Sequence, residues 1–138
     1  MDLDQSGSGY QSVNVYLGPS LGWVKVRVKP QTKILAAGTT TLTADASVIL
    51  VNINGLVTLN LPDVTKWIQE TAYMPATAFE RAVWIKDLGG FASPANPITV
   101  APFGTQTIDG LAQSYTIIQT NQLLKLYPLN DLTGWFAG

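Results

Sequence analysis

Residues 84–135 read WIKDLGGFASPANPITVAPFGTQTIDGLAQSYTIIQTNQLLKLYPLNDLTGW, and this stretch decides the fold class. Short runs rich in β-branched and aromatic residues alternate in it with turn residues. The run Ile98-Thr99-Val100 ends before Pro102, and Thr107-Ile108 leads into an Asp109-Gly110 turn. Several short strands separated by regular turn signals are typical of all-β domains. We therefore expect a compact β-module.

The strand pattern continues upstream of this stretch. Asn54-Gly55 separates two strand-like runs, residues 47–53 and 56–61, and is a strong signal for a two-residue hairpin turn. Both faces of such a hairpin would be largely apolar, whereas an open antiparallel sheet is apolar on one face only. We expect the hairpin to be covered on both sides, by the chain's own fold or by a second subunit. The predicted trimer contacts are its apolar residues Ile49, Val51, Ile53 and Leu56.

One segment between the strands carries a helical signal. Asp63 can cap a helix that begins at Val64 and buries Trp67 and Ile68. Pro75 can open a second turn of helix. From residue 83 onward only strand and turn patterns follow.

These patterns predict an all-β fold with one short helical insert, at about residues 63–82. We expect an antiparallel β-sandwich of jelly-roll type, assembled as a trimer, and an intertwined trimeric β-prism is the alternative. Residues 1–22 are predicted to be an extended N-terminal arm, and residues 23–138 the sandwich domain. The polar Gly/Ser-rich residues 1–9 are either a frayed tail or an arm that becomes ordered on a neighbour.

The expected core of the sandwich comes from the inward positions of the C-terminal strands. Its members are Trp84, Ile85, Ile98, Val100, Ile108, Leu124, Leu126 and Trp135.

Composition narrows the possible functions. The chain has 138 residues, of which 12% are charged, against about 25% in an average globular domain. This low value suggests that part of the surface is buried against other chains. A net charge of −1 argues against a nucleic acid partner. No apolar run approaches the roughly 18 residues of a membrane span, and the acidic N-terminus does not resemble a signal peptide.

The residue types argue against catalysis. The sequence contains neither Cys nor His, so the commonest general base and zinc ligands are missing. We predict no enzymatic activity, no cofactor and no metal; a paired-carboxylate glycosidase site is the remaining catalytic possibility. The aromatic residues are either core and interface anchors or a platform for sugars. Five aspartates stand beside turn residues and are expected to cap turns: Asp45, Asp63, Asp87, Asp109 and Asp131.

Five segments carry a resemblance to a known family: Ile85 to Gly90, Asn96 to Val100, Thr107 to Gly110, Leu124 to Leu126 and Gly134-Trp135. Together they resemble a small β-module of virion proteins from tailed bacteriophages and related gene-transfer particles. The upstream residues 39–62 match its usual beginning, and residues 64–82 depart from it, where a short loop is more usual. The resemblance implies a trimeric, β-rich virion surface protein without a catalytic motif.

Within that family two roles compete. A capsid decoration (cement) protein would be made in the bacterial cytoplasm and bind the major capsid protein on the capsid exterior as a homotrimer. A head-fibre or tail-fibre tip would bind a host glycan. A complete small chain favours decoration over a fibre, which needs a shaft. The predicted capsid contacts are the N-terminal residues and the cations of the strand at 23–29: Asp2, Asp4, Tyr10, Tyr16, Lys25, Arg27 and Lys29.

Overall fold

The computed structural model describes residues 3–5, 11–16, 19–20, 22–28, 31–72 and 81–138. The chain divides into two compact units, residues 1–30 and 31–138. We predicted a boundary after residue 22. The division falls after residue 30 instead, because the strand that begins at Trp23 pairs along its whole length with the strand before it.

The N-terminal unit contains one antiparallel sheet of three strands. Its strands are β1 (Leu3–Gln5), β2 (Gln11–Tyr16) and β3 (Trp23–Val28), in that spatial order. The segment predicted as an extended arm therefore contains two strands of a sheet, and β3 completes it.

The C-terminal unit contains two sheets. The six-stranded sheet has the order β10-β13-β12-β8-β6-β4, and the four-stranded sheet has the order β11-β9-β7-β5. The strands of the first are β4 (Gln31–Ile34), β6 (Val48–Val51), β8 (Val83–Asp87), β10 (Thr107–Ile108), β12 (Leu123–Pro128) and β13 (Gly134–Ala137). Those of the second are β5 (Gly38–Thr41), β7 (Val57–Asn60), β9 (Ile98–Ala101) and β11 (Tyr115–Ile117).

The chain alternates between the two sheets in three successive coils, β4–β5, β6–β7 and β8–β9. Each coil pairs in parallel with the one before it, in both sheets. After the third coil β11 and β12 pair antiparallel with β9 and β8, β13 pairs antiparallel with β12, and β10 pairs in parallel with β13. The all-β prediction is confirmed, but both sheets are mixed rather than antiparallel. Within the coils, each strand of one sheet is followed by a strand of the other sheet. The chain therefore returns to a sheet in the same direction as before, and neighbouring strands of that sheet run parallel.

The predicted hairpin at Asn54-Gly55 is wrong. β6 and β7 lie in different sheets, and residues 52–56 connect them. A type I′ hairpin turn needs a positive φ at both central residues, and neither Asn54 nor Gly55 has one. A Cβ at Gly55 would lie only 2.9 Å from the Cβ of Ala37 in the preceding connection. The glycine therefore serves the close stacking of two connections.

The core draws on residues of both sheets. β6 contributes Ile49 and Val51, and β7 contributes Val57 and Leu59. These two strands are apolar because they contribute to one core, although they belong to different sheets. Of the eight predicted core residues seven are buried, and Trp84 is the exception, since it lies half-buried on the other face of β8.

The helical prediction at residue 64 is confirmed. Helix α1 (Val64–Glu70) begins after Asp63, whose side chain accepts a hydrogen bond from the Thr65 N–H. Trp67 is fully buried, and its Nε1 donates to the carbonyl of Ala46 at 2.6 Å. Its ring meets that of Trp135 edge-on at 5.2 Å. The helix is thus anchored in the core by one indole.

The second turn of helix predicted at Pro75 lies outside the described residues. Within the parts of the chain that the structure describes, no helix is long and apolar enough to cross a membrane.

Candidate interaction surfaces

Asp87 at the end of β8 is a buried carboxylate that organises a loop. One oxygen accepts from the N–H groups of Gly90 and Phe91 at 3.1 and 3.3 Å. The other accepts from those of Ala92 and Asn121, both at 3.0 Å. Four backbone donors thus converge on one side chain, which joins the connection after β8 to the turn before β12.

The other four aspartates also accept hydrogen bonds within the chain. Asp63 and Asp131 accept from backbone N–H groups two residues on, as predicted. Asp109 instead accepts from the distant N–H of Ala137 at 2.8 Å, and Asp45 from the hydroxyl of Thr43 at 2.6 Å. These two departures join separate strands or brace a connection, which the neighbouring residues alone do not reveal.

Two of these carboxyls have altered acidity. The side-chain amide of Gln106 donates to Asp63 at 2.8 Å, and this bond, followed by the Thr65 N–H, lowers the pKa of Asp63. The hydroxyl and the N–H of Thr133 lower the pKa of Asp131 in the same way. Hydrogen bonds that are stronger to the ionised form favour it. Asp63 caps helix α1, and Asp131 caps a turn.

The C-terminal unit has a small cleft beside β10. It measures about 170 Å³ and is lined by Ile108, Asp109, Leu111, Gln113, Ser114 and Tyr115. Ligand pockets usually measure about 300–1,000 Å³. No three acidic side chains of the described residues come together to form a metal site. The broad sheet faces and the stacked connections offer larger surfaces than this cleft.

The outer face of the six-stranded sheet carries positive charge, and we call it the lysine face. Lys33, Lys86 and Lys125 occupy outward positions of β4, β8 and β12, and each stands next to a buried residue. The Lys125 ammonium lies 4.7 Å from the centre of the Trp84 ring. Tyr127 and Phe136 stack beside them at 5.1 Å, with their planes 21° apart. This face combines cations with aromatic rings.

The outer face of the four-stranded sheet is neutral. A single row of threonines crosses all four strands in register: Thr39, Thr58, Thr99 and Thr116. We call this surface the threonine face. Beside the row, the Asn60 side chain donates to the hydroxyl of Thr41 at 3.3 Å. None of the four strands contains a charged residue.

The connections between the sheets stack along one edge of the C-terminal unit. The N–H of Asn52 donates to the carbonyl of Ile34, and that of Leu88 to the carbonyl of Val51, so the ladder continues past the strands. Exposed apolar side chains occupy this edge, and we call them the corner row: Leu35, Leu56, Leu88, Phe91 and Ile118. Leu35 and Leu56 are the most exposed of them, at 62% and 63%.

The four predicted trimer contacts differ in how far they are buried. Ile49 and Val51 lie in the core of the single chain, with 1% of each side chain exposed, and are not available to another subunit. This corrects their predicted role, which rested on the hairpin. Ile53 is half-buried and packs against the core. Leu56 is exposed and belongs to the corner row.

The predicted capsid contacts lie in the N-terminal unit. Asp2, Tyr10 and Lys29 fall outside the described residues. The others lie in its sheet: Asp4 in β1, Tyr16 at the end of β2 with 53% exposure, and Lys25 and Arg27 at alternate positions of β3. Ser12 stands opposite both Asp4 and Arg27, so these residues share one row of that sheet.

The sequence contains a repeated pattern that indicates the threonine face. Three strands show a threonine between two apolar residues, in Val57-Thr58-Leu59, Ile98-Thr99-Val100 and Tyr115-Thr116-Ile117. Each triplet alone predicts only a half-buried strand. Their alignment in one row depends on the parallel register, which the hairpin interpretation concealed.

Compared with known proteins, the sequence matches no family model and no curated protein.

Proposed function

We propose that this chain is a non-enzymatic virion protein of a tailed bacteriophage, which decorates and stabilises the capsid as a homotrimer. In this proposal the two sheets form a β-sandwich body that contacts other copies, and the N-terminal unit binds the major capsid protein. The protein is made in the bacterial cytoplasm and acts on the capsid exterior. Many weak contacts from one trimer to several capsid subunits would add up to firm attachment.

The observation that carries the proposal is the role of the phage-like segments in this fold. Residues of the first and fourth segments pair in β8 and β12, and those of the third and fifth pair in β10 and β13. Asp87 of the first segment organises the loop after β8. Asp109 and Gly110 form a tight turn with positive φ values, and the Asp109 carboxylate accepts from the Ala137 N–H. The resemblance therefore concerns residues that pair strands and hold turns of the β-body, which suits a structural role.

The capsid-binding part of the proposal rests on charge. Lys25 and Arg27 stand at alternate positions of β3, and cations suit an acidic outer capsid surface with a salt-dependent association rate. The double variant Lys25→Glu/Arg27→Glu should bind capsids more weakly, with the largest loss at low salt, where screening is least. Undiminished capsid binding of the folded variant would remove these residues from the contact.

The decisive experiment is the copy number in the particles whose genome encodes the chain. Quantitative mass spectrometry of purified virions should find hundreds of copies per particle for a capsid protein. A few copies per particle would indicate a tail component. Absence of the protein from purified virions would overturn the virion proposal as a whole.

A fibre tip that binds host glycan is the second candidate, favoured by the aromatic rings of the lysine face. The stacked pair Tyr127 and Phe136 offers a flat apolar platform of the kind that sugars use. Titration with lipopolysaccharide purified from the host bacterium tests it. Binding that is lost in Phe136→Ala and kept in Phe103→Ala, an exposed ring in the turn after β9, would support this role over decoration.

A further inference from the structure

We infer that the threonine face and the corner row together form the contact between copies of this chain. The inference rests on the proposed homotrimer and assigns its interface to one surface. It replaces the predicted contact through Ile49 and Val51, which the core already covers.

Charge distinguishes this surface from the opposite one. A symmetric assembly brings identical residues of several copies close to one axis. On the lysine face this would gather Lys33, Lys86 and Lys125 of every copy without a carboxylate on the same face of those strands. The threonine face has no charge to gather. Like charges that meet at an interface cost several kcal/mol, so neutrality favours the threonine face over the lysine face as the surface placed near the axis of the assembly.

The shape of the threonine face suits close packing. Thr58 and Thr99 lie in the two central strands, flanked in the same row by Thr39 and Thr116. Identical β-branched side chains at a cross-strand spacing of about 5 Å make an even surface. Each threonine also offers a methyl group and a hydroxyl, so a partner can make both apolar contacts and hydrogen bonds there.

The corner row adds the apolar area that the threonine face lacks. Four strands about 4.8 Å apart and about 13 Å long give roughly 250 Å² for the sheet face. Five half-exposed large side chains add on the order of 100 Å² each. In a cyclic trimer each copy divides this sum, roughly 750 Å², between its two neighbours, so one contact buries roughly 750 Å² in total, which is less than the roughly 1,600 Å² of a standard interface. The closed ring therefore depends on its three contacts acting together.

The two surfaces adjoin, because the corner row lies on the connections that lead into and out of the four-stranded sheet. Leu56 immediately precedes β7, and Ile118 immediately follows β11. A cyclic trimer joins two different patches of each copy, whereas a twofold dimer uses one patch twice. Adjoining surfaces of different character fit the cyclic case.

The test compares charged and neutral variants by light scattering at micromolar concentration. The 14.8 kDa chain should give three times that mass. Thr58→Lys places a charge at the centre of the threonine face and should weaken association by about 100-fold, the equivalent of roughly 3 kcal/mol. Thr58→Val keeps the branched shape and should remain trimeric. Gln31→Lys, which adds the same charge to the outer side of β4, should also remain trimeric.

A second variant guards against misfolding of the first. Leu56→Asp lies in a connection rather than a strand, with 63% of the side chain exposed, and should dissociate the trimer while circular dichroism stays unchanged. Trimers formed by either Thr58→Lys or Leu56→Asp, folded as the unchanged chain, would overturn the assigned surface and leave the homotrimer standing. A monomeric unchanged chain would overturn the homotrimer itself.

Discussion

Replacing Asp87 by asparagine tests the loop organisation most directly. The carboxylate is buried and accepts four backbone N–H groups, two on each oxygen. Asparagine has nearly the same shape but only one acceptor oxygen, and its NH₂ group would face two donors whichever way the amide is turned. The variant therefore loses two hydrogen bonds without any change of volume.

The expected loss of stability is worked out for an amide whose NH₂ group takes the place of the oxygen that accepts from Ala92 and Asn121. The bond from Ala92 is buried, so leaving its N–H unsatisfied costs about 1–3 kcal/mol. The bond from Asn121 is partly exposed, and its N–H can turn to water at about 1 kcal/mol. We expect Asp87→Asn to lower the free energy of unfolding by about 3 kcal/mol. For a chain of this size this corresponds to a fall of about 10 °C in the melting temperature.

Urea denaturation followed by circular dichroism measures this change, with an unaltered slope as evidence that the folded state is intact. Asp131→Asn is the matched control, because that carboxylate lies in an exposed turn and should matter much less. A loss for Asp87→Asn below about 0.5 kcal/mol would refute the reasoning, since it would fall within the range of ordinary surface substitutions.

Three further predictions concern the core, a turn and pH. Leu124→Ala should destabilise the protein by about 2–5 kcal/mol in urea denaturation, and the neighbouring exposed Leu123→Ala by under about 1 kcal/mol; equal losses would contradict the assigned strand faces. Gly110→Val should cost at least about 1–2 kcal/mol in thermal melts, because φ is +77° there; an unchanged melting temperature would argue against the turn. The pKa of Asp63 is lowered by the bond from Gln106, so its stabilisation is complete above the ordinary value of 3.8 and is lost as the pH falls through the lower folded-state pKa. The stability difference between the unchanged chain and Asp63→Asn should shrink accordingly in acid, and a difference independent of pH would show that the carboxylate is not the stabilising group.

Local features of this fold could be predicted because they depend on neighbouring residues. Asp63 caps α1 through the Thr65 N–H, a bond that needs only two positions of sequence. The Asp109-Gly110 turn has both positive φ values that its residue types favour. The inward positions of β9 and β12 follow from alternation and were assigned correctly, including Ile98 and Leu124.

Strand pairing could not be predicted from the same signals. Asn54-Gly55 favours a hairpin, yet the glycine is needed because Ala37 of the preceding connection lies close to it. A turn that returns the chain to its own sheet and one that leads to the other sheet use similar residues. Trp84 shows the related difficulty for single positions, because its ring covers the outer face beside Lys125 instead of the core. The threonine face depends on the pairing of the strands, so it could not be predicted either.

The asymmetry of the two ends of the coils bears on solubility. Among the described strands β4 and β5 are the edge strands at the first coil, and the shorter strands β10 and β11 are the edge strands at the other end. Open edges invite edge-to-edge polymerisation, and a lysine on the edge opposes it. Lys33 is the only charged residue of β4 and β5. This one side chain is therefore expected to oppose polymerisation at this end, and Lys33→Gln, which removes only this charge, should make the protein precipitate more readily.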